Sequence, residues 1–377
     1  MAGIYIHIPF CKQACYYCDF HFSTNLAKKD VMIRALEQEL YLRKEEFKNE
    51  RIETIYFGGG TPSVLQTSEI EYLVEAVNKN YKVITTPEIT LEANPDDLSA
   101  DKINELSDSS INRLSIGIQS FFDQDLKLMN RAHTADDANS CLSEARKQFD
   151  NISIDLIYGI PGLTHVRWDE NITRALSYNL PHISSYALTV EPKTALKAFI
   201  EKGIIPNVDD ELAQEQFYML LNKLETEGFV NYEISNFGKE GYFSMNNTSY
   251  WQGKKYLGIG PSAHSYDGKK RGWNIRNNSK YIKSINQEIL PLEEEILTIT
   301  DRYNEYVMTG LRTIWGISIM KIQTEFGNSY YEYLMAQSDK YIKEGLLFFN
   351  RDMLGVTKKG KFLCDGIASD LFMIKLS

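Results

Sequence analysis

The 377-residue chain is 43% hydrophobic and holds 23 tyrosines and 18 phenylalanines, which supplies a large buried core and excludes a disordered chain. Its formal net charge of −10 opposes phosphate backbones, so nucleic-acid binding is not expected. Five cysteines, three of them crowded into one short segment, exclude a secreted disulfide framework and predict a reducing compartment, the cytoplasm by default.

The chain opens on Ile4–Phe10 (IYIHIPF), whose apolar, β-branched character predicts a buried strand. No basic region followed by a long apolar run stands here, so no signal peptide is expected. No run of about eighteen apolar residues occurs, so no transmembrane segment is expected; peripheral membrane contact stays open. Cys11, Cys15 and Cys18 follow the strand at C-x3-C-x2-C spacing. Three thiolates can hold a cubane cluster and leave one iron without a protein ligand, where the amino and carboxylate groups of a ligand can chelate. Cys11, Cys15, Cys18 and His21 also make a passable tetrahedral zinc set. The spacing favours the cluster and leaves zinc open.

Five further apolar runs predict strands at Thr54–Gly58, Glu88–Ala93, Arg113–Gln119, Ser153–Tyr158 and His182–Val190. Amphipathic stretches between them, such as Asp30–Phe47 and Ser68–Asn78, predict helices, and Ser99 and Thr134 stand where N-caps belong. Six alternations imply an α/β fold with a parallel sheet; the pattern does not say whether the sheet closes. Polar residues gather near the C-terminal ends of these runs, where such folds place their chemistry. Gly59, Gly60 and Thr61 lie in FGGGTP, where backbone groups can meet a zwitterionic ligand; a tight turn is the bland alternative. Glu92 ends the third run, Gln119 the fourth, Arg131 follows it, and Asp155 sits within the fifth. An ion pair between Asp155 and Arg131 would account for both as structure.

Beyond Glu191 the rhythm changes. Asp209–Gly228 predicts an amphipathic helix, Tyr232–Tyr256 is rich in aromatics and asparagine, and LGIGPSAHS follows. From about Ile296 a last module begins, with helices at Thr300–Thr313, Ser318–Phe326 and Ser329–Glu344 and a hairpin of LLFF and MLGVT. The expected division is a barrel over 1–195, an extension over 196–295, and a mainly helical, winged-helix-like domain over 296–377.

YIHIPFC, FGGGTP, LEANPD, SIGIQSF, DLIYGIPG and YLGIGPSAHS together resemble the radical S-adenosylmethionine (SAM) proteins of the anaerobic coproporphyrinogen oxidase group, across essentially the whole chain. That resemblance implies a partial (β/α)6 radical SAM barrel and decides the zinc question for a [4Fe–4S] cluster on Cys11, Cys15 and Cys18. It implies SAM contacts from Tyr5, Gly59, Gly60, Thr61, Glu92, Gln119, Arg131 and Asp155, with Ala187 a further lining residue. The decarboxylating branch carries a fourth cysteine where this chain has Phe20, and a long segment before the cluster where this chain has ten residues. Both features resemble the HemW-type haem chaperones, which bind haem as cargo and pass it to haemoproteins; oxygen-independent coproporphyrinogen III oxidase is the alternative. That branch has a His-Asn-x-x-Tyr-Trp motif, and here Asn246 stands in place of the histidine, before Asn247, Tyr250 and Trp251. Amide is a poor iron ligand beside imidazole, which leaves His21 and His264 as axial candidates, each with ordinary hydrogen bonding as its bland reading. Cys141 and Cys364 are expected in the core.

Overall fold

The computed structural model describes residues 1–374. Six parallel strands, β1 (Ala2–Ile8), β2 (Arg51–Gly59), β3 (Lys82–Ala93), β4 (Arg113–Gln119), β5 (Ile152–Tyr158) and β6 (His182–Ala187), pair in chain order. Every residue of β4 is buried, because helices cover one face and the barrel interior the other. The covering helices are Lys29–Leu42, Thr67–Asn80, Ala100–Ser107, Ala135–Gln148 and His165–Ser177. Ser99 and Thr134 do cap their helices, accepting from the N–H of Lys102 and Asp137 at 3.2 Å each. The first helix ends at Leu42, short of the expected Phe47, where Arg43 turns inward to Glu39 and the Gly258 carbonyl.

The sheet does not stop at six strands. β7 (Val230–Glu233) and β8 (Asn236–Gly238) add an antiparallel pair beside β6. At the other end β9 (Lys255–Ile259) lies parallel to β1, and β10 (His264–Tyr266), β11 (Lys270–Asn274) and β12 (Leu292–Ile296) continue antiparallel. The middle of the chain thus joins the barrel's own sheet, which runs open from β12 to β7. The outermost strand reads Leu-Glu-Glu-Glu-Ile, and its charges discourage pairing with another chain.

The last unit has its own core of Tyr303, Val307, Leu311, Ile317, Leu334 and Leu354. Helices Ile299–Leu311, Asn328–Lys343 and Cys364–Asp370 surround a small sheet of β13 (Ile317–Ser318), β14 (Leu347–Asn350) and β15 (Met353–Val356). The expected helix Ser318–Phe326 is a single α-turn followed by a π-turn, closed by the Gly327 N–H on the Ile322 carbonyl at 3.1 Å, with Gly327 at φ 97°. Arg312 bonds Glu233 at 2.9 Å and Asp365 at 2.6 Å, fastening this unit to the sheet. Cys141 and Cys364 are both buried. Among the described residues no helix is long and apolar enough to cross a membrane.

Candidate functional site

The segment after β1 curls over the barrel end. Its base is closed by the Cys11 N–H on the Ser23 carbonyl (3.1 Å) and the Ser23 N–H on the Pro9 carbonyl (3.0 Å). Cys15 and Cys18 are linked by a turn, the Cys18 N–H donating to the Cys15 carbonyl at 3.3 Å. The loop is held from outside by the Tyr16 N–H on the Met129 carbonyl (3.1 Å) and by Gln13 and Asn130, each donating to the other segment's backbone at 2.8 Å.

The glycine run serves this loop more than a ligand. Gly59 adopts φ +110° and gives its N–H to Glu92 at 3.2 Å. A Cβ on Gly60 would lie 2.5 Å from the Phe10 carbonyl oxygen, so only glycine lets β2 approach the cysteine segment this closely. The N–H groups of Gly60 and Thr61 go to the carbonyls of Ile8 (2.9 Å) and Phe10 (2.7 Å). The expected free backbone donors at these positions are therefore already used.

An arc of hydrogen bonds joins two of the cysteines. The Thr61 hydroxyl donates to Cys11 Sγ at 3.3 Å, and Asn94 Nδ2 donates to Thr61 Oγ1 at 3.2 Å. Arg131 Nη2 donates to Asn94 Oδ1 at 2.6 Å and to the Gly117 carbonyl at 2.9 Å, while Nη1 reaches Cys15 Sγ at 3.5 Å. Arg131 Nε is buried with no partner among the described residues. A permanent cation with a spare donor beside three thiols fits an anionic iron–sulfur group and its chelating ligand. Burial pushes the Cys11 thiol up to about 12 and the Cys18 thiol to about 11, so these sulfurs stay protonated until a metal displaces the proton. His21, the fourth member of the alternative zinc set, has its Nε2 engaged by Asn278 Oδ1 at 2.7 Å.

Gln119, buried and at φ 65°, ends β4 in the left-handed region, a strained conformation of the kind that gathers at functional sites. On the other side, Tyr5 bonds His7 Nδ1 at 3.2 Å, and the Tyr56 hydroxyl donates to Glu92 at 2.8 Å. Burial raises the Glu92 carboxyl above its ordinary value. Tyr5, Gly59 and Glu92 face a cavity of about 400 Å³, shared with Phe20, His21 and His264.

Asp155 does not pair with Arg131, whose fork is spent on Asn94, Gly117 and the cysteine loop. It lies deeper in the barrel near Ser184 and Arg113, and burial, reinforced by Glu92, pushes its carboxyl from 3.8 up to about 7. Between about pH 4 and 7 the native protein holds this proton and the unfolded chain does not, so stability falls as pH rises through that window. Asp155→Asn in cofactor-free protein is expected to flatten that slope and to gain on the order of 2 kcal/mol at pH 8, read from urea unfolding at pH 5 and pH 8.

Ala187 ends β6, opposite Tyr158. Asn246 lines neither cavity. It is buried, its N–H on Glu88 at 3.0 Å and its side-chain oxygen accepting from Thr54 at 3.1 Å. Tyr250 and Trp251 line a second, larger cleft of about 1070 Å³ between the barrel end and the last unit, and one face of Trp251 is taken by Arg312, 5.0 Å from the ring centre. Sequence reasoning missed Asn94 and Arg113. Asn94 lies two residues past Glu92, on the same side of the strand end, and that spacing was the available signal. Arg113 looked like an ordinary strand start, yet it is 1% exposed.

Two family models match the chain, the radical SAM superfamily over residues 5–175 and the HemN C-terminal domain over residues 297–363. The chain is 34% identical to the heme chaperone HemW of Bacillus subtilis (strain 168), over 96% of this chain and 97% of that protein. It is 33% identical to heme chaperone HemW of Lactococcus lactis subsp. lactis (strain IL1403), over 96% and 97%. The solved structure of the coproporphyrinogen III oxidase HemN from Escherichia coli superposes with a TM-score of 0.86 at 23% identity, covering 99% of this chain and 90% of that one. This likeness establishes the fold, a radical SAM barrel with a helical C-terminal domain.

Proposed function

The chain belongs to the HemW heme chaperone family, and on that premise we propose that it binds haem and hands it to recipient haemoproteins, while carrying a [4Fe–4S] cluster with SAM on the open iron. The observation that carries this reading is the arc from Cys11 through Thr61, Asn94 and Arg131 to Cys15, set near a cleft roomy enough for a porphyrin. Cys11, Cys15 and Cys18 hold the cluster. Arg131 places a fixed positive charge against it, and Thr61 orients the Cys11 sulfur. Tyr5, Gly59 and Glu92 receive SAM on the cavity side, with Gly60 and Gln119 shaping the rim and Asp155 standing behind. The bound cofactor pair supplies one-electron chemistry at the sulfonium centre. Residues 1–195 carry cluster and SAM, and most of the cleft lining comes from Glu233 to Glu295 on one side and Leu297 to Phe372 on the other. All five cysteines are free, which suits a reducing cytoplasm.

The test is a haemin titration of the anaerobically reconstituted protein, followed in the Soret region, beside an assay with coproporphyrinogen III, SAM and a reductant. Saturable one-to-one haemin binding without catalytic turnover is expected. No saturable binding removes the chaperone reading, and protoporphyrinogen formed at a catalytic rate replaces it with the oxidase.

A further inference from the structure

We propose that Asn94 is a positioning residue of the cluster site: it carries the donor polarity of Arg131 over to Thr61, aims the Thr61 hydroxyl at the Cys11 sulfur, and thereby raises the reduction potential of the cluster. This inference rests on the cluster reading above and adds to it the residue that tunes the electron affinity of the site.

Donor and acceptor chemistry leaves each group on this path one role. A guanidinium only donates, so the amide atom that Arg131 Nη2 meets at 2.6 Å is the Asn94 oxygen. Nδ2 is thereby turned the other way, onto Thr61 Oγ1 at 3.2 Å. A hydroxyl that accepts there keeps its own O–H free to donate, and the Thr61 O–H runs to Cys11 Sγ at 3.3 Å. A thiolate has no proton to give, so the path ends on the sulfur. Arg131 Nη1 reaches Cys15 Sγ directly at 3.5 Å, and one cation therefore feeds donors to two of the three sulfurs. Hydrogen bonds aligned in one direction strengthen one another.

Asn94 is itself held in place for this. Its N–H donates to Ser63 Oγ at 3.2 Å, and Ser63 donates to Asp97 at 2.6 Å. Asp97 pairs in turn with Lys12, the residue after Cys11. At the two ends of the amide, Arg131 is fixed by the Gly117 carbonyl at 2.9 Å and Thr61 by its own N–H on the Phe10 carbonyl at 2.7 Å. Thr61 is buried, so the amide and not bulk water supplies its donor.

Donors to the sulfurs favour the state that carries one more electron, and so raise the potential. Aspartate at position 94 keeps the shape and still accepts from Arg131, but it has no N–H for Thr61. The Thr61 hydroxyl then turns from the sulfur to the carboxylate, and the polarity of the path reverses.

The full-length protein, reconstituted without oxygen and without SAM, is titrated with dithionite, and the one-electron couple is followed by electron paramagnetic resonance. Thr61→Val removes the O–H at nearly constant shape and should lower the midpoint by about 59 mV, tenfold in the equilibrium constant. Thr61→Ser keeps the hydroxyl and should stay at the parent value. Asn94→Asp should lower the midpoint further than Thr61→Val, because it also adds a negative charge. In the Thr61→Val background no hydroxyl is left to turn, and there Asn94→Asp should shift the equilibrium about tenfold less than it does in the parent. A midpoint unchanged in Thr61→Val, or a fall shared by Thr61→Ser, overturns the proposal. So do shifts of the two substitutions that simply add, which would leave Asn94→Asp acting by its charge alone. An Asn94→Asp protein that retains no iron overturns it too, since Asn94 would then serve cluster retention. A parent that takes up no iron and sulfide overturns the cluster reading and this inference with it.

Discussion

Cys11→Ser is expected to strip the protein of iron. After anaerobic reconstitution, iron and acid-labile sulfide per chain should fall at least about tenfold below the parent, since even outer-shell changes cost that much, and the brown colour should go. The reason lies in the burial of Cys11, 8% exposed at the head of the loop, with Thr61 donating to its sulfur at 3.3 Å. Serine keeps the shape and the Thr61 contact but offers a hard, tightly protonated oxygen where a soft thiolate is needed. On the proposed ligand set, removal of one of three thiolates would leave a further iron of the cluster without a protein ligand. Cys141→Ser is the control. Cys141 is buried in the Ala135–Gln148 helix, away from the loop, and should retain full iron. Full iron in Cys11→Ser would remove this cysteine from the ligand set.

Glu39→Ala is expected to destabilise the barrel by about 2–5 kcal/mol, the cost of leaving buried donors without an acceptor, while Arg43 keeps its ion pair with Glu46 at 2.8 Å. Glu39 is fully buried and serves four partners at once. It accepts from Arg43 at 3.2 Å, the Gly260 N–H at 2.8 Å, Asn274 Nδ2 at 2.7 Å and the Tyr281 hydroxyl at 2.5 Å. Those partners lie on the first helix, at the ends of β9 and β11, and on the helix Asn278–Ile285, so one carboxylate ties the added strands to the barrel. Alanine leaves the Gly260 N–H and the Tyr281 hydroxyl in a dry site without an acceptor, while Asn274 Nδ2 and Arg43 Nη1 fall back on the carbonyls of Gly260 and Gly258. Urea unfolding of cofactor-free protein at pH 7.5 measures the loss; a midpoint unchanged within error would show that water replaces the carboxylate there.

The pattern of apolar runs was enough to locate β1 to β6 within a few residues, because parallel strands buried on both faces read as continuous hydrophobic segments. It missed the first six residues of β3, 82–87, where exposed and half-buried residues break the run. It also left the stretch 230–296 without strands. β7 to β12 are short or exposed and gain their partners only by joining the edges of a sheet laid down much earlier in the chain. The cysteine spacing announced a thiolate site, and Glu92 was legible as a strand-end carboxylate. The spacing from Glu92 could place Asn94 at the same strand end, but its role as the link between Thr61 and Arg131 was not legible, because both partners come from other segments of the chain.

By itself the sequence determined the family, the six-strand rhythm and the cysteine trio, all of which rest on local order: alternation of apolar segments, and ligands a few residues apart on one loop. The tertiary structure decided the pairings. It turned Arg131 from Asp155 to Asn94 and the cysteine loop, and withdrew Asn246 from any cleft onto Glu88 and Thr54. Those contacts join residues far apart in the chain, and which of several possible partners a buried charge takes is fixed by where the backbone leaves room and an unused acceptor.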